Sequence, residues 1–267
     1  MTRQRLHDLA ALHRRRGRDA HGVFLVEGVR SVEAAVAAGA PLVEILVADD
    51  VVGQPRVADL AARAGVRVSV VPAADVERVS DAQTSQGVVA VSRRVVQHEA
   101  SVLVGVRSTL VLDGVQDPGN VGALVRSAAW FGVEAVVTDG RSADPEGPKA
   151  VRASMGGLWD VALVRVAEIG GALDTLADAG AALWGADLDG TDAASWEPAG
   201  RLALVLGSEA HGLSPEVADR LEGRVAIARG RTRGGWAEVA PADDRGRGVE
   251  SLNVVVAAGV LMHRWLG

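Results

Sequence analysis

Brief, mainly apolar runs alternate along this chain with stretches of helical character, and that rhythm restricts the fold more than any other feature. Thr109–Asp113, Ala135–Thr138, Ala181–Gly185 and Leu202–Leu206 are the clearest runs. They are too short for helices and have almost no polar positions, which predicts strands buried on both faces. Such strands belong to a parallel sheet covered by helices. A helix is predicted from Asn120 to about Phe131. Val121, Leu124, Val125 and Ala128 fall there at i, i+3, i+4 and i+7, with Asn120 as N-cap and Gly132 as stop.

The first third reads as a smaller α/β unit. Its predicted elements are a helix over Ser31–Val36 that ends by Gly39, a strand over Val43–Val47, a helix over Val57–Ala64 stopped by Gly65, and strands over Val66–Val71 and Gly87–Val91. Val95–Ser108 is mixed and lacks a period. The expected division is therefore a first domain over 1–97, a linker over 98–108 and a second domain over 109–267.

Composition narrows the chemistry. The chain has no cysteine, which removes thiolate nucleophiles and cysteine-held metals; no metal is expected. It has no tyrosine, and its two phenylalanines and six tryptophans are few, which argues against an RNA surface built from rows of stacked aromatics. No apolar run reaches the roughly 18 residues that span a bilayer, and no signal-peptide core follows the Arg-rich start. The expectation is a cytoplasmic protein without a membrane. The net charge of -6 argues against a nucleic-acid partner only if charge is evenly spread. It is not. Arg3, Arg5, Arg14, Arg15, Arg16 and Arg18 crowd the start, and Arg229, Arg231, Arg233, Arg245 and Arg247 form a late group.

Three segments carry the chemistry. The first, Asp113–Gly122, is a strand-to-helix turn that aims backbone N–H groups at a ligand, with Arg126 on the helix that follows. It is one residue from a dinucleotide-binding loop, since Asp117 stands where the first glycine would be, and Asp139 ends the next strand near the place of a ribose-binding acid. An aspartate facing a pyrophosphate is electrostatically poor. The second, Leu202–Ser214, is a buried strand ending in a glycine-containing loop that presents Glu209; His211 beside it is read as a loop or surface residue, and Ser214-Pro215 opens a helix. The third, Gly248–Val260, predicts a helix capped by Ser251 that buries Leu252, Val255, Val256 and Val260, with Asn253 in its first turn.

Together these segments resemble the SpoU (TrmH-type) RNA 2′-O-ribose methyltransferases of the SPOUT superfamily. The shared motifs are D-G-V-Q-D-P-G-N-V-G-A-L-V-R-S-A at 113–128, L-G-S-E-A-H-G-L-S at 206–214 and E-S-L-N-V-V-V-A-A-G at 250–259. The first third is similar to that family's ribosomal-protein-like substrate-binding domain, on Phe24–Arg30 and Gln86–Val91. The resemblance implies an α/β fold whose second domain has a deep trefoil knot, a homodimer, and methyl transfer from S-adenosylmethionine to a ribose 2′-hydroxyl of structured ribosomal or transfer RNA. By matched position, Asn120, Arg126, Glu209, Ser251 and Asn253 form the catalytic set, while Leu206, Gly207, Ile227, Ser251 and Leu252 bound the cofactor. Arg14, Arg15, Arg16, Arg30 and Arg126 are the expected RNA contacts.

A guanidinium stays protonated, so Arg126 is read as a group that binds phosphate and orients the hydroxyl rather than as a base. Position 208 is Ser and position 210 Ala where the family often has Asn and Gly. The stretch from Ile227 to Glu250 is longer than the family's usual connection, and is read either as an insert that grips RNA or covers the pocket, or as a tolerated insertion. Three alternatives stay open: a resistance-conferring ribosomal RNA methyltransferase, an NAD-binding oxidoreductase using the near-miss glycine loop, and a catalytically silent RNA-binding protein. Mapping the methylated nucleotide, a cofactor titration and a methyl-transfer assay separate them.

Overall fold

The computed structural model describes residues 1–228 and 251–267. Expectations that fall on 229–250, including the late arginine group and the long connection, lie outside the described residues. The chain begins with two helices that the sequence reading did not assign, α1 (Arg3–Ala11) and α2 (Arg15–His21). Then follow β1 (Val23–Glu27), α3 (Val29–Ala37), β2 (Leu42–Ala48), α4 (Pro55–Arg63), β3 (Arg67–Val71), α5 (Ala73–Val79) and β4 (Val88–Arg93). Their sheet has the order β1-β4-β2-β3, antiparallel except for the β2/β3 pair. Leu6, Leu9 and Leu12 cover one face of it, packed with Leu25, Leu46 and Val89.

The second half contains β5 (Ser108–Asp113), α6 (Pro118–Phe131), β6 (Ala135–Thr138), α7 (Pro148–Ser154), β7 (Ala162–Arg165), α8 (Ile169–Asp178), β8 (Ala182–Asp192), β9 (Leu202–Gly207), α9 (Pro215–Ala218), β10 (Gly223–Ala226) and α10 (Val254–Leu266). Its six strands are parallel and ordered β10-β8-β9-β5-β6-β7. Every residue of β5 is buried, as expected for a central strand covered on both faces. One continuous core joins the two sheets, running from Phe24 and Ile45 to Leu112, Leu124 and Leu204. Residues 98–108 are not featureless. A 3₁₀ turn over Ala100–Gly105 buries Leu103 against Val111 and Leu173, and Gln97 bridges to Val164.

Two helix starts differ from the sequence reading. Asp117, not Asn120, caps α6: its Oδ1 accepts the Asn120 backbone N–H at 2.9 Å, with Pro118 at the first helical position. The Asn120 side chain is thereby released from capping. At α10 the cap is Asn253, whose Oδ1 accepts the Val255 N–H at 2.9 Å; Ser251 lies two residues before it and is exposed. Packed against α6, the helix buries Ala258, Leu261 and Met262. Leu252, Val256 and Val260, expected inside, are exposed.

Buried ion pairs hold the halves together. Arg18, only 3% exposed, donates to Asp144 at 2.6 Å and to the carbonyls of Leu12 and His13. Buried Glu146 accepts from Arg94 and from the backbone N–H groups of Val95 and Val96. Asp139 and Asp144 both lie below their ordinary value of 3.8. Burial pushes each up, but is outweighed by Ser142 and Arg141 at Asp139 and by Arg18 at Asp144. Carboxyls depressed in the folded state stabilise it above the unfolded value, and that contribution is lost as pH falls through about 3.8 toward the folded value. The melting temperature should therefore drop below about pH 4. Asp144→Asn should lower stability at neutral pH and flatten that acid limb, whereas parallel acid limbs for variant and wild type would contradict the assignment.

Candidate active site

β5 and β9 are neighbours, and their register pairs Asp113 with Gly207. The turns leaving both strands therefore start side by side at the C-terminal edge of the sheet, although they are far apart in the sequence. That is where parallel α/β sheets bind ligands. Asp113 fastens the two turns together. Its Oδ2 accepts the Ser214 N–H at 2.6 Å, and its Oδ1 pairs with Arg141, which also reaches Asp139 at 2.7 Å. The Gly207–Leu213 turn is closed by reciprocal backbone bonds between Ser208 and Gly212.

Three of the expected catalytic residues meet here. Asn120 Nδ2 donates to Glu209 Oε1 at 2.6 Å, and Asn253 Nδ2 approaches Asn120 Oδ1 at 3.4 Å. The chain Asn253–Asn120–Glu209 thus joins α10, α6 and the loop after β9. Beside it opens a cavity of about 450 Å³. Leu206, Gly207, Ile227, Ser251 and Leu252, the five residues expected around the cofactor, all line it, as do Glu209 and His211. Leu213, Val225 and Val254 add apolar surface to a lining that also carries polar groups. Arg126 does not line this cavity. It is exposed on α6, about a turn and a half beyond Asn120, and makes no side-chain hydrogen bond among the described residues.

The sequence reading missed the part of β8 that closes the far wall, Ala186, Asp187 and Leu188. It ended that strand at Gly185, whereas the strand runs on to Asp192. Their place directly after the apolar run that pairs with β9 was the available signal. Among the described residues, no group of three His, Asp or Glu side chains could hold a metal ion, and no helix is long and apolar enough to cross a membrane.

The dinucleotide alternative loses its acid. Asp139 Oδ1 accepts from Gly114 N–H, Ser142 N–H and Ser142 Oγ at 2.6–3.2 Å, and Oδ2 accepts from Arg141. These bonds tie Asp139 to its neighbours, and it is only 2% exposed, so it is not available to a ribose.

Comparison with known proteins gives the same answer. Residues 107–233 match the SpoU rRNA Methylase family, and residues 3–90 match the MRM3-like substrate binding domain. An uncharacterised tRNA/rRNA methyltransferase of Mycolicibacterium smegmatis is 30% identical over 94% of this chain and 79% of its own length. The chain belongs to the SpoU family. Within it, the 23S rRNA (guanosine(2553)-2'-O)-methyltransferase RlmP of Bacillus subtilis is 27% identical over 99% of this chain and 96% of its own. The crystal structure of the SpoU methyltransferase AviRb from Streptomyces viridochromogenes, in complex with AdoMet, superposes with a TM-score of 0.83 at 25% identity, covering 98% of this chain and 97% of that one. Membership of the SpoU family accounts for the co-occurrence of all three motifs in one chain.

Proposed function

We propose that this SpoU-family protein transfers the methyl group of S-adenosylmethionine to a ribose 2′-hydroxyl of structured ribosomal or transfer RNA. The observation that carries the reading is the meeting of Asn120, Glu209 and Asn253 at the mouth of the cavity that Leu206, Gly207, Ile227, Ser251 and Leu252 bound. The cavity suits the cofactor. Its volume of about 450 Å³ falls within the usual range for such ligands. Leu206, Leu213, Val225 and Ile227 offer an apolar surface to an adenosine, and the carboxylate of Glu209, which forms no ion pair among the described residues, favours a cation.

The bound cofactor supplies an already activated methyl group; the residues must align a hydroxyl and ease its loss of a proton. Glu209 spends one carboxylate oxygen on Asn120, and no described residue occupies the other, which is free to accept the ribose hydroxyl. Asn120 and Asn253 hold that carboxylate in place. Ser251, exposed at the cavity, can donate to either the cofactor or the hydroxyl. Arg126 remains a cation and binds the phosphate next to the reacting ribose. Arg14, Arg16 and Arg30, all exposed, extend the RNA footprint. Arg15 belongs to it only in part, since it pairs with Asp19 at 3.6 Å.

The same reading includes a substrate-binding part over 1–97 joined through 98–108 to the methyltransferase part, a trefoil knot in the latter, and action in the cytoplasm, where such RNA is found. It also includes a homodimer. On α10, Val256 and Val260 form a solvent-facing apolar pair at i and i+4, and Trp130 on α6 is 84% exposed. A second copy of the chain would cover them. Val256→Asp should convert a dimer to a monomer in sedimentation equilibrium without lowering the monomer's helix content; a wild type that sediments as a monomer at all concentrations contradicts the dimer.

The deciding experiment is methyl transfer from labelled cofactor to unmodified ribosomal and transfer RNA transcripts, followed by nucleoside mass spectrometry. A 2′-O-methylnucleoside is expected. Label found only on bases, or on no RNA, refutes the proposal.

A further inference from the structure

The proposed reaction leaves one large concavity unused, the groove of about 570 Å³ between α1 and α2. We infer that this groove takes one unpaired nucleotide of the RNA substrate, its base against small side chains and its phosphate on Arg14 and Arg16. The inference rests on the RNA methyltransferase reading and names a subsite for its substrate.

The groove exists because α2 lies against the backbone of α1. A Cβ on Gly17 would stand 2.1 Å from the Ala11 carbonyl oxygen, so only glycine permits the approach. Ala10, Ala11, Gly17 and Ala20 give the groove a shallow apolar lining, and His7, Arg14 and Arg16 contribute polar groups to it. Most neighbouring cations are already neutralised. Arg5 pairs with Glu44, Arg15 with Asp19 and Arg18 with Asp144. Arg14 and Arg16 form no ion pair among the described residues. An apolar lining edged by two unneutralised guanidiniums selects a ligand with a flat apolar body and an anionic group, which describes a nucleotide. Duplex RNA keeps its bases stacked and out of reach, so the ligand is an unpaired one. Guanidinium planes also stack on bases, a role this aromatic-poor chain cannot give to tyrosine.

The position of the groove fits a substrate contact. It lies within residues 3–90, the part matched to a substrate binding domain. Arg18 of α2 bonds Asp144 at 2.6 Å; the adjacent Ala143 N–H bonds the Val115 carbonyl at 2.9 Å; and Val115 belongs to the turn that leads into Asn120. A nucleotide in the groove is thereby fixed relative to the catalytic amide by a short run of hydrogen bonds.

The test separates occupancy of the groove from general attraction. Ala20→Phe fills the groove at an exposed position without changing charge, and Ala10→Leu narrows it at a second site. The double variant Arg14→Gln/Arg16→Gln removes charge without filling. Each is assayed with the ribosomal or transfer RNA that wild type methylates, over a potassium chloride series, with cofactor affinity and melting temperature measured in parallel. Both filling variants should raise KM for RNA about tenfold at unchanged cofactor affinity, as expected for loss of one stacked base. The charge variant should reduce the slope of log affinity against log salt by about 0.7, as expected for one lost phosphate contact on a single strand. Filling variants that melt as wild type and methylate as wild type overturn the inference, even if the charge variant binds weakly. A wild type that methylates no RNA refutes the methyltransferase reading itself.

Discussion

Arg126→Ala is expected to lower the rate of methyl transfer by about a hundredfold or more while leaving the affinity for S-adenosylmethionine within about twofold. The split follows from position. Arg126 is on the solvent-facing side of α6 and does not line the cofactor cavity, so its loss removes no cofactor contact. Its distance from Asn120 along α6 places its guanidinium within reach of a phosphate flanking the ribose that Glu209 would engage. The charge acts on a bound RNA whose reacting oxygen must be held in line, and misplacement of about an ångström costs orders of magnitude. Arg126→Lys keeps the charge but loses the planar fork, and should recover only part of the rate. Single-turnover methylation paired with calorimetric cofactor titration reads both quantities. Full activity in Arg126→Ala removes this residue from the mechanism, and a collapse of cofactor binding would show that the cavity boundary is drawn wrongly.

Gly207→Ala should be more disruptive still, abolishing cofactor binding and destabilising the fold by about 3 kcal/mol. Gly207 ends β9 where the chain doubles back on itself. A Cβ there would sit 2.3 Å from the Gly212 carbonyl carbon, 2.4 Å from its oxygen and 2.5 Å from the Leu213 nitrogen. All three are backbone atoms of the same turn, so no side-chain rotation relieves the clash. Opening the turn would break the reciprocal Ser208–Gly212 bonds, pull Ser214 from Asp113 and withdraw Glu209 from Asn120. Gly259→Ala, in α10 with nothing within 4 Å of the added carbon, is the matched control and should be close to neutral or slightly stabilising. Thermal melting and cofactor titration check the pair. A Gly207→Ala protein that binds cofactor normally would show that the turn has more slack than these distances allow.

The contrast between the two ends of α6 explains what could be read early. Its buried stripe and its Gly132 terminus follow from local periodicity and from the left-handed backbone that glycine supplies at φ 77°. Its start did not follow as cleanly, because Asp117 and Asn120 are both competent caps and Pro118 at the first helical position decides between them. At α10 the same ambiguity among Ser251 and Asn253 moved the helix start, while packing against α6 turned Ala258, Leu261 and Met262 inward and left Val256 and Val260 exposed. The N-terminal helices were hidden for another reason. α1 and α2 are Arg-rich, and much of their ordering comes from Leu6, Leu9 and Leu12 packing on a distant sheet and from the long-range Arg18–Asp144 pair. The wall of the cavity supplied by Asp187 was likewise invisible, since β8 continues past its apolar stretch through pairing with β10.

Taken alone, the order of residues determined the layered α/β class, the individual strands and helices with strong periodicity, and the three motifs with their chemistry. Those are properties of residue type and short spacing, and they survive without knowledge of the partners across space. Tertiary structure decided which of those residues meet. The pairing of Asp113 with Gly207 across β5 and β9 helps bring Asn120, Glu209 and Asn253 together; bonds from Gly114 and Ser142 commit Asp139 to an internal network; and docking of α2 against Asp144 buries Arg18 while Arg14 and Arg16 stay at the open groove. Contacts between residues a hundred positions apart depend on strand order and sheet register, which no local pattern encodes.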